Sequence, residues 1–212
     1  MTPTEAQKRL VIVGATGMVG GYALRCALDH PAVGTATAIG RKPTGLNHPK
    51  LNEVLHQDFA DCSALAGALS GQDAAVFCLG AYTGAVADAE LRRITVDYTI
   101  EFARVLRGSS PNATFAFLSG GGADPTGRSR IAYARYKGEA EKALAAAGFP
   151  YANPLARSSD SFLTDPASRS HATPAPSGVL HRTLDERAAS EPASRHRGAG
   201  PRSGVAPPEK PE

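Results

Sequence analysis

The chain has 212 residues, 42% hydrophobic and 20% charged, enough for one ordinary soluble domain with a real core, or one domain plus a tail. A net charge of +3 carried by scattered cations excludes the clustered basic stripe of a nucleic-acid binder. No apolar run reaches the ~18–20 residues that span a membrane, and residues 1–5 lack a charged-then-apolar secretory signal, so a cytoplasmic location is expected.

Residues 9–13 predict a first strand, with the continuous apolar run expected when both sheet faces are covered. Residues 14–20 form a glycine turn. The helix that follows runs to about residue 29, with Gly20, Ala23, Leu24, Ala27 and Leu28 on one face at 3.6-residue spacing, and His30-Pro31 stops it. Residues 36–39 predict a second strand, followed by Gly40-Arg41-Lys42-Pro43. A short strand at 52–56, a short helix at 63–69 and a strand at 74–79 come next. Residues 90–107 predict a long helix with Val96, Ile100, Ala103 and Leu106 inward. A fifth strand at 114–118 leads into Ser119 and three glycines. An alanine-rich helix at 130–147 closes at Gly148.

Strand and helix alternate five times through short links. Parallel neighbours need crossover connections, so this pattern specifies an α/β fold, a doubly wound parallel sheet in the order 3-2-1-4-5. Ligands in such sheets sit at the carboxyl ends of the strands, where the winding reverses. Residues 14–20, 40–42, Asp58, residues 79–82 and Ser119 all fall at strand ends and converge on one crevice.

Composition changes near residue 150. Ten of the sixteen prolines lie in residues 150–212, which contain no isoleucine and, as aromatics, only Tyr151 and Phe162. Residues 1–150 therefore read as the folded domain, and residues 151–212 as a Pro/Ala/Ser/Arg-rich disordered tail. Cys26, Cys62 and Cys78 are odd in number and widely spaced, as reduced thiols are. The six histidines occur singly, without metal-ligand spacing.

The glycine spacing Gly14-x-x-Gly17-x-x-Gly20 carries the chemistry. Gly14 permits a sharp exit from the strand, Gly17 clears space for a pyrophosphate, and Gly20 lets the helix pack close to the sheet. The free helix N-terminus attracts the phosphates. A tight strand-to-helix turn without ligand is the bland alternative. At the end of the second strand, Arg41 and Lys42 stand where an NAD site usually has an acid for the ribose 2′-hydroxyl. Cations there suit a 2′-phosphate, so NADP(H) is favoured over NAD(H); a solvated basic loop is the alternative. Asp58-Phe59 either brackets the adenine or forms a surface turn.

Tyr133-x-x-x-Lys137 puts a phenol and an ammonium one helical turn apart. The ammonium lowers the tyrosine pKa from ~10 towards working pH, fitting Tyr133 to act as general acid to a carbonyl receiving hydride. A surface pair is the alternative. Tyr136 points elsewhere on the helix.

The motifs Gly-Ala-Thr-Gly-Met-Val-Gly (14–20), Gly-Arg-Lys (40–42), Cys-Leu-Gly (78–80), Val-Asp-Tyr (96–98), Leu-Ser (118–119), Gly-Ala-Asp (122–124) and Tyr-x-x-x-Lys-Gly-Glu (133–139) resemble the atypical short-chain dehydrogenase/reductases. The branch most resembled includes Tat-interacting-protein-like oxidoreductases and bacterial NAD(P)H-binding proteins. The resemblance covers roughly residues 8–150. It implies a Rossmann fold with NADP(H) along Gly14, Thr16, Gly17, Met18, Val19, Gly20, Arg41, Lys42, Asp58, Leu79, Gly80, Ala81 and Lys137. It makes Tyr133 the proton donor and Lys137 the residue that lowers its pKa and holds the nicotinamide ribose; either Ser119 orients the carbonyl or the site has lost the serine that does.

Two departures stand out. The family often has paired serines after the fifth strand, where this chain has Ser119-Gly120. The family also continues with a sixth strand and an Arg-Pro-Gly-like turn, whereas residues 152–159 read as no strand, so the sixth strand and substrate-side elements are expected to be missing. Either a native disordered tail or a change of reading frame near residue 152 accounts for this, and the other frames of the coding DNA separate the two. Three functions fit: an oxidoreductase acting on a small carbonyl or alcohol, a non-catalytic NADP(H)-binding sensor or partner-binding protein, or an inactive truncated product.

Overall fold

A computed structural model describes residues 7–149 and the backbone of residues 152–155. Strands β1 (Lys8–Val13), β2 (Val33–Gly40), β3 (Leu51–Leu55), β4 (Ala74–Phe77), β5 (Thr114–Leu118) and β6 (Ala152–Leu155) form one sheet in the order β3-β2-β1-β4-β5-β6. Every neighbouring pair is parallel. The first five strands thus take the expected order 3-2-1-4-5. The expectation that no sixth strand exists is corrected, because residues 152–155 pair with β5 from Phe115↔Ala152 to Leu118↔Leu155. Pro154 has no N–H to donate, but among the described residues β6 lies at the edge of the sheet, where proline is tolerated. The predicted tail and the frame change near residue 152 otherwise lie outside the described residues.

Alternation along β1 sends its side chains to opposite faces. Leu10 and Ile12 join Leu24, Ala27 and Leu28 of α1 (Met18–Asp29), against small residues Ala36, Ala38, Ala74 and Ala116. That small-residue layer brings α1 close to the strands. Val11 and Val13 face the other way, into a core rich in phenylalanine. There Phe77 lies 5.3 Å from Phe102 and 6.1 Å from Phe115 between ring centroids, and Phe115 lies 5.2 Å from Phe149.

The second face is covered by α3 (Tyr98–Ser109) and α4 (Ala132–Ala146). The long helix predicted over 90–107 is one continuous rod of three parts, with α2 (Asp88–Arg92) joined to α3 by a π-helical turn, Arg93–Asp97. A π turn inserts extra residues and rotates everything after it. Val96, Ala103 and Leu106 are buried as expected, but Ile100 is 41% exposed and Thr99 and Phe102 take the inward places. Asp97 pairs with Arg92 at 3.1 Å, a partly exposed, helix-stabilising contact.

Candidate functional site

The glycine turn is shaped by backbone contacts that leave no room for a side chain. Gly14 has φ +81°, and a Cβ there would lie 2.9 Å from the Cys78 main chain. A Cβ on Gly20 would lie 2.2 Å from the Gly14 carbonyl oxygen, so this glycine sets how close α1 comes to β1. Gly17 has more room, 3.3 Å from the same oxygen, and is the N-cap of α1. It offers no side-chain cap, and the first turn of α1 has no acid. The N-terminal N–H groups and the positive end of the helix dipole are thus available to an anion.

Two concavities flank this turn. One, of about 370 Å³, is lined by Thr16, Gly17, Gly21, Arg25, Lys42 and Thr44 among others. The other, of about 480 Å³, is lined by Gly14, Thr16, Arg41, Lys42, Gln57, Phe59 and Leu79 among others. Lys42 borders both. Arg41 and Lys42 are exposed, and among the described residues neither has a carboxylate in ion-pair contact. The Gln57 amide donates to the Arg41 carbonyl at 2.9 Å, fixing the loop that carries both cations.

Of the pair Asp58-Phe59, only buried Phe59 lines a concavity. The Asp58 carboxylate accepts the Ala60 N–H at 3.0 Å and stabilises its own turn. Met18 is 73% exposed at the start of α1 and Val19 is half-buried. Met18, Val19, Gly80 and Ala81 line neither concavity.

Tyr133 and Lys137 come together at the carboxyl end of β5, with Lys137 Nζ 5.7 Å from the centroid of the half-buried Tyr133 ring. Lys137 is 3% exposed. Its ammonium donates to the Leu118 carbonyl at 2.6 Å and lies 4.3 Å from the Phe117 ring centroid. Burial pushes its pKa down to about 8, against the opposing influence of Cys78 and Glu141. Desolvation pushes the half-buried Cys78 thiol up to about 12, so it is neutral. The three described cysteines are free thiols.

Ser119 is 1% exposed and its hydroxyl donates to Glu141 on α4. Its oxygen is therefore turned to the helix rather than spare for a substrate. Next to it, a Cβ on Gly120 would lie 3.0 Å from a Tyr133 ring carbon and 3.1 Å from the Tyr133 hydroxyl oxygen. The phenol occupies the space that a second serine's side chain would need. Tyr136 points away, donating to Asp88 at 2.6 Å.

The loop between β5 and α4 is clamped to the helix. The Asp124 N–H donates to the Ala134 carbonyl at 2.8 Å, and the Asp124 carboxylate accepts the Thr126 N–H at 2.9 Å and the Ser129 N–H at 2.6 Å. Gly138 makes this possible, since a Cβ there would lie 2.0 Å from the Asp124 carbonyl carbon. Arg25, Thr44, Gln57 and Glu141 have no place in the sequence reading. Only Glu141 had a local signal, its i+4 spacing from Lys137.

The chain is similar to known proteins in sequence and in fold. A family model described as NAD(P)H-binding matches residues 14–152, more than half of the chain. A protein of Aspergillus clavatus named mitochondrial fmp52 is 32% identical over 146 residues, 66% of this chain and 61% of the relative. Its namesake in Aspergillus fumigatus is 28% identical over the same length. The chain spans about three fifths of the length of these relatives. Among solved structures, WbmG of Bordetella bronchiseptica in complex with NAD aligns with TM-score 0.56 and 17% identity, over 71% of this chain and 53% of WbmG. Uronate dehydrogenase from Agrobacterium tumefaciens aligns with TM-score 0.53 and 19% identity, over 64% of this chain and 54% of that enzyme. At such identity these two structures speak for the fold.

The expected cytoplasmic location is overturned by the fungal relatives, which are named mitochondrial proteins. The β1–α1 glycine turn, the parallel sheet and the family match agree, and the chain belongs to the NAD(P)H-binding family of atypical short-chain dehydrogenase/reductases, with an oxidoreductase-like Rossmann fold.

Proposed function

We propose that the chain is an NADP(H)-dependent oxidoreductase acting on a small carbonyl or alcohol, with Tyr133 exchanging the proton. The observation that carries this reading is the Tyr133–Lys137 pair, 5.7 Å from ammonium to ring centroid, at the strand ends beside the glycine turn. The residues fit a dinucleotide. Gly14 and Gly20 exclude side chains from the turn, α1 begins uncapped, and Arg41 and Lys42 lie exposed at the end of β2 without carboxylate partners among the described residues. When bound, NADP(H) supplies or accepts the hydride.

The chain's own residues do the rest. The turn and the α1 N-terminus hold the pyrophosphate, and Arg41 and Lys42 favour a 2′-phosphate over a 2′-hydroxyl. Tyr133 donates its phenolic proton to the carbonyl oxygen as that oxygen gains charge, and takes it back in the reverse direction. The Lys137 ammonium stabilises the phenolate left behind. Its bond to the Leu118 carbonyl fixes its position and leaves it to act on Tyr133 by charge.

A second reading is favoured by one observation. Ser119 is committed to Glu141 and position 120 is glycine, so neither residue presents a free hydroxyl beside Tyr133. A protein of that kind binds NADP(H) without turnover, as a sensor or partner-binding module. One experiment separates the two. The full chain is assayed for NADPH oxidation against a panel of aldehydes and ketones, alongside Tyr133→Phe. Turnover that Tyr133→Phe abolishes supports the enzyme. NADPH binding without turnover of any compound supports the sensor.

A further inference from the structure

We infer that Arg25 is a third cation of the nucleotide site, gripping the 2′-phosphate of NADP(H) together with Lys42. This rests on the NADP(H) reading above.

Arg25 stands on α1 two turns beyond the N-cap Gly17. Helical side chains lean towards the N-terminus of their helix, so a long one at this position reaches back over the first turn. The geometry agrees, for a Cβ built on Gly21 would lie 3.9 Å from Arg25 Nη1. The guanidinium is folded along the bare flank that Gly21 leaves on α1. There it shares the wall of the smaller concavity with Lys42, Thr16, Gly17 and Thr44. One cation therefore comes from α1 and the other from the loop after β2, with the anion-attracting helix N-terminus at the same wall.

Among the described residues neither Arg25 nor Lys42 has a carboxylate in ion-pair contact. The acid Glu53 meets this wall only through Thr44, whose N–H and hydroxyl both donate to Glu53 Oε1 at 2.6 Å. That pairing fixes Thr44 and holds the Glu53 carboxyl below its ordinary range. Two like charges lining one concavity repel each other until a dianion sits between them. A guanidinium is suited to that task because its planar fork matches phosphate oxygens in pairs. NAD(H) offers a neutral hydroxyl at the same place, so Arg25 discriminates between the two cofactors rather than strengthening both.

The test is a binding titration of the full chain with NADPH and with NADH, followed by nucleotide fluorescence, for the wild type, Arg25→Gln and Lys42→Gln. Arg25 is exposed, so its replacement leaves the fold intact. Losing one charge-assisted contact weakens NADPH about tenfold, while NADH affinity stays within about twofold. NADPH affinity unchanged in Arg25→Gln, or NADPH and NADH weakened equally, overturns the role of Arg25 and leaves the NADP(H) reading standing if Lys42→Gln still lowers the preference. A wild type that binds NADH as tightly as NADPH, or binds neither, overturns the NADP(H) reading itself, and the role of Arg25 with it.

Discussion

The two ends of the crevice are built on opposite plans. At the β1–β2 end the site is main chain and open surface, with glycines that admit no side chain, an uncapped helix start and exposed cations without carboxylate partners among the described residues. At the β5–α4 end it is a buried side-chain network, where Lys137 is tied to Leu118, Ser119 to Glu141, and the 120–131 loop to α4 through Gly138. The first end is preorganised for an anion before any ligand arrives. The second has spent most of its polar groups on itself, with Tyr133 half-buried beside Lys137 as the acid of the proposed function. Under the proposed function, binding and chemistry are therefore separable, and substitutions at one end should leave the other nearly untouched.

The largest expected effect is on chemistry alone. Tyr133→Phe should lower kcat by about 10²–10⁴-fold, the range for loss of a general acid, with NADPH affinity unchanged, measured by steady-state rates and a parallel titration. An equal loss of binding would join the two ends. At the other end, Gly20→Ala forces a Cβ to within 2.2 Å of the Gly14 oxygen. Overpacking of this severity costs about 3 kcal/mol and lowers Tm by roughly 6–12 °C in a chain of this size. The thermal shift on adding NADPH should vanish. Gly17→Ala, with 3.3 Å of room, should keep its Tm and lose only affinity.

Most of the first end could be read from contiguous residues, because strand, glycine turn and helix follow one another between Lys8 and Asp29 and each glycine has a local reason. The second end depends on contacts between distant residues. Ser119 reads as a substrate-orienting hydroxyl until Glu141, 22 positions on, is seen to accept its hydrogen bond. Gly138 looks like an ordinary helical glycine until the Asp124 backbone is found against it. The π turn at Arg93–Asp97 has no signature in hydrophobic spacing, so Ile100 was placed inward when it lies outward. β6 was missed because a four-residue edge strand containing proline carries almost no pattern.

The pH dependence tests the buried end more finely. Lys137 has a folded pKa of about 8 against an ordinary 10.5. The unfolded chain therefore binds more protons between those values, and stability should rise with pH from about 8 to 10.5. The ammonium that supports Tyr133 is lost over the same window, so kcat should fall as pH rises through about 8. Tm and kcat moving in opposite directions, with the Tm trend abolished in Lys137→Met, would sharpen the contrast. A parallel rise of both would break it. The smallest effect concerns Ser119. Ser119→Ala should cost about 1–2 kcal/mol of stability, by denaturant unfolding, because it leaves half-buried Glu141 without its donor. It should leave kcat within about threefold; a loss of a hundredfold would restore Ser119 to the chemistry.

The central claim is that the β1–β2 end is a nucleotide cradle, and a thermal-shift titration of the unaltered chain with NADPH and NADH tests it most directly. At a hundredfold excess over Kd, one bound ligand stabilises the fold by about 2.7 kcal/mol, which raises Tm by roughly 5–10 °C. The account predicts that rise with NADPH at lower concentration than with NADH. No shift with either cofactor up to millimolar concentration would contradict it.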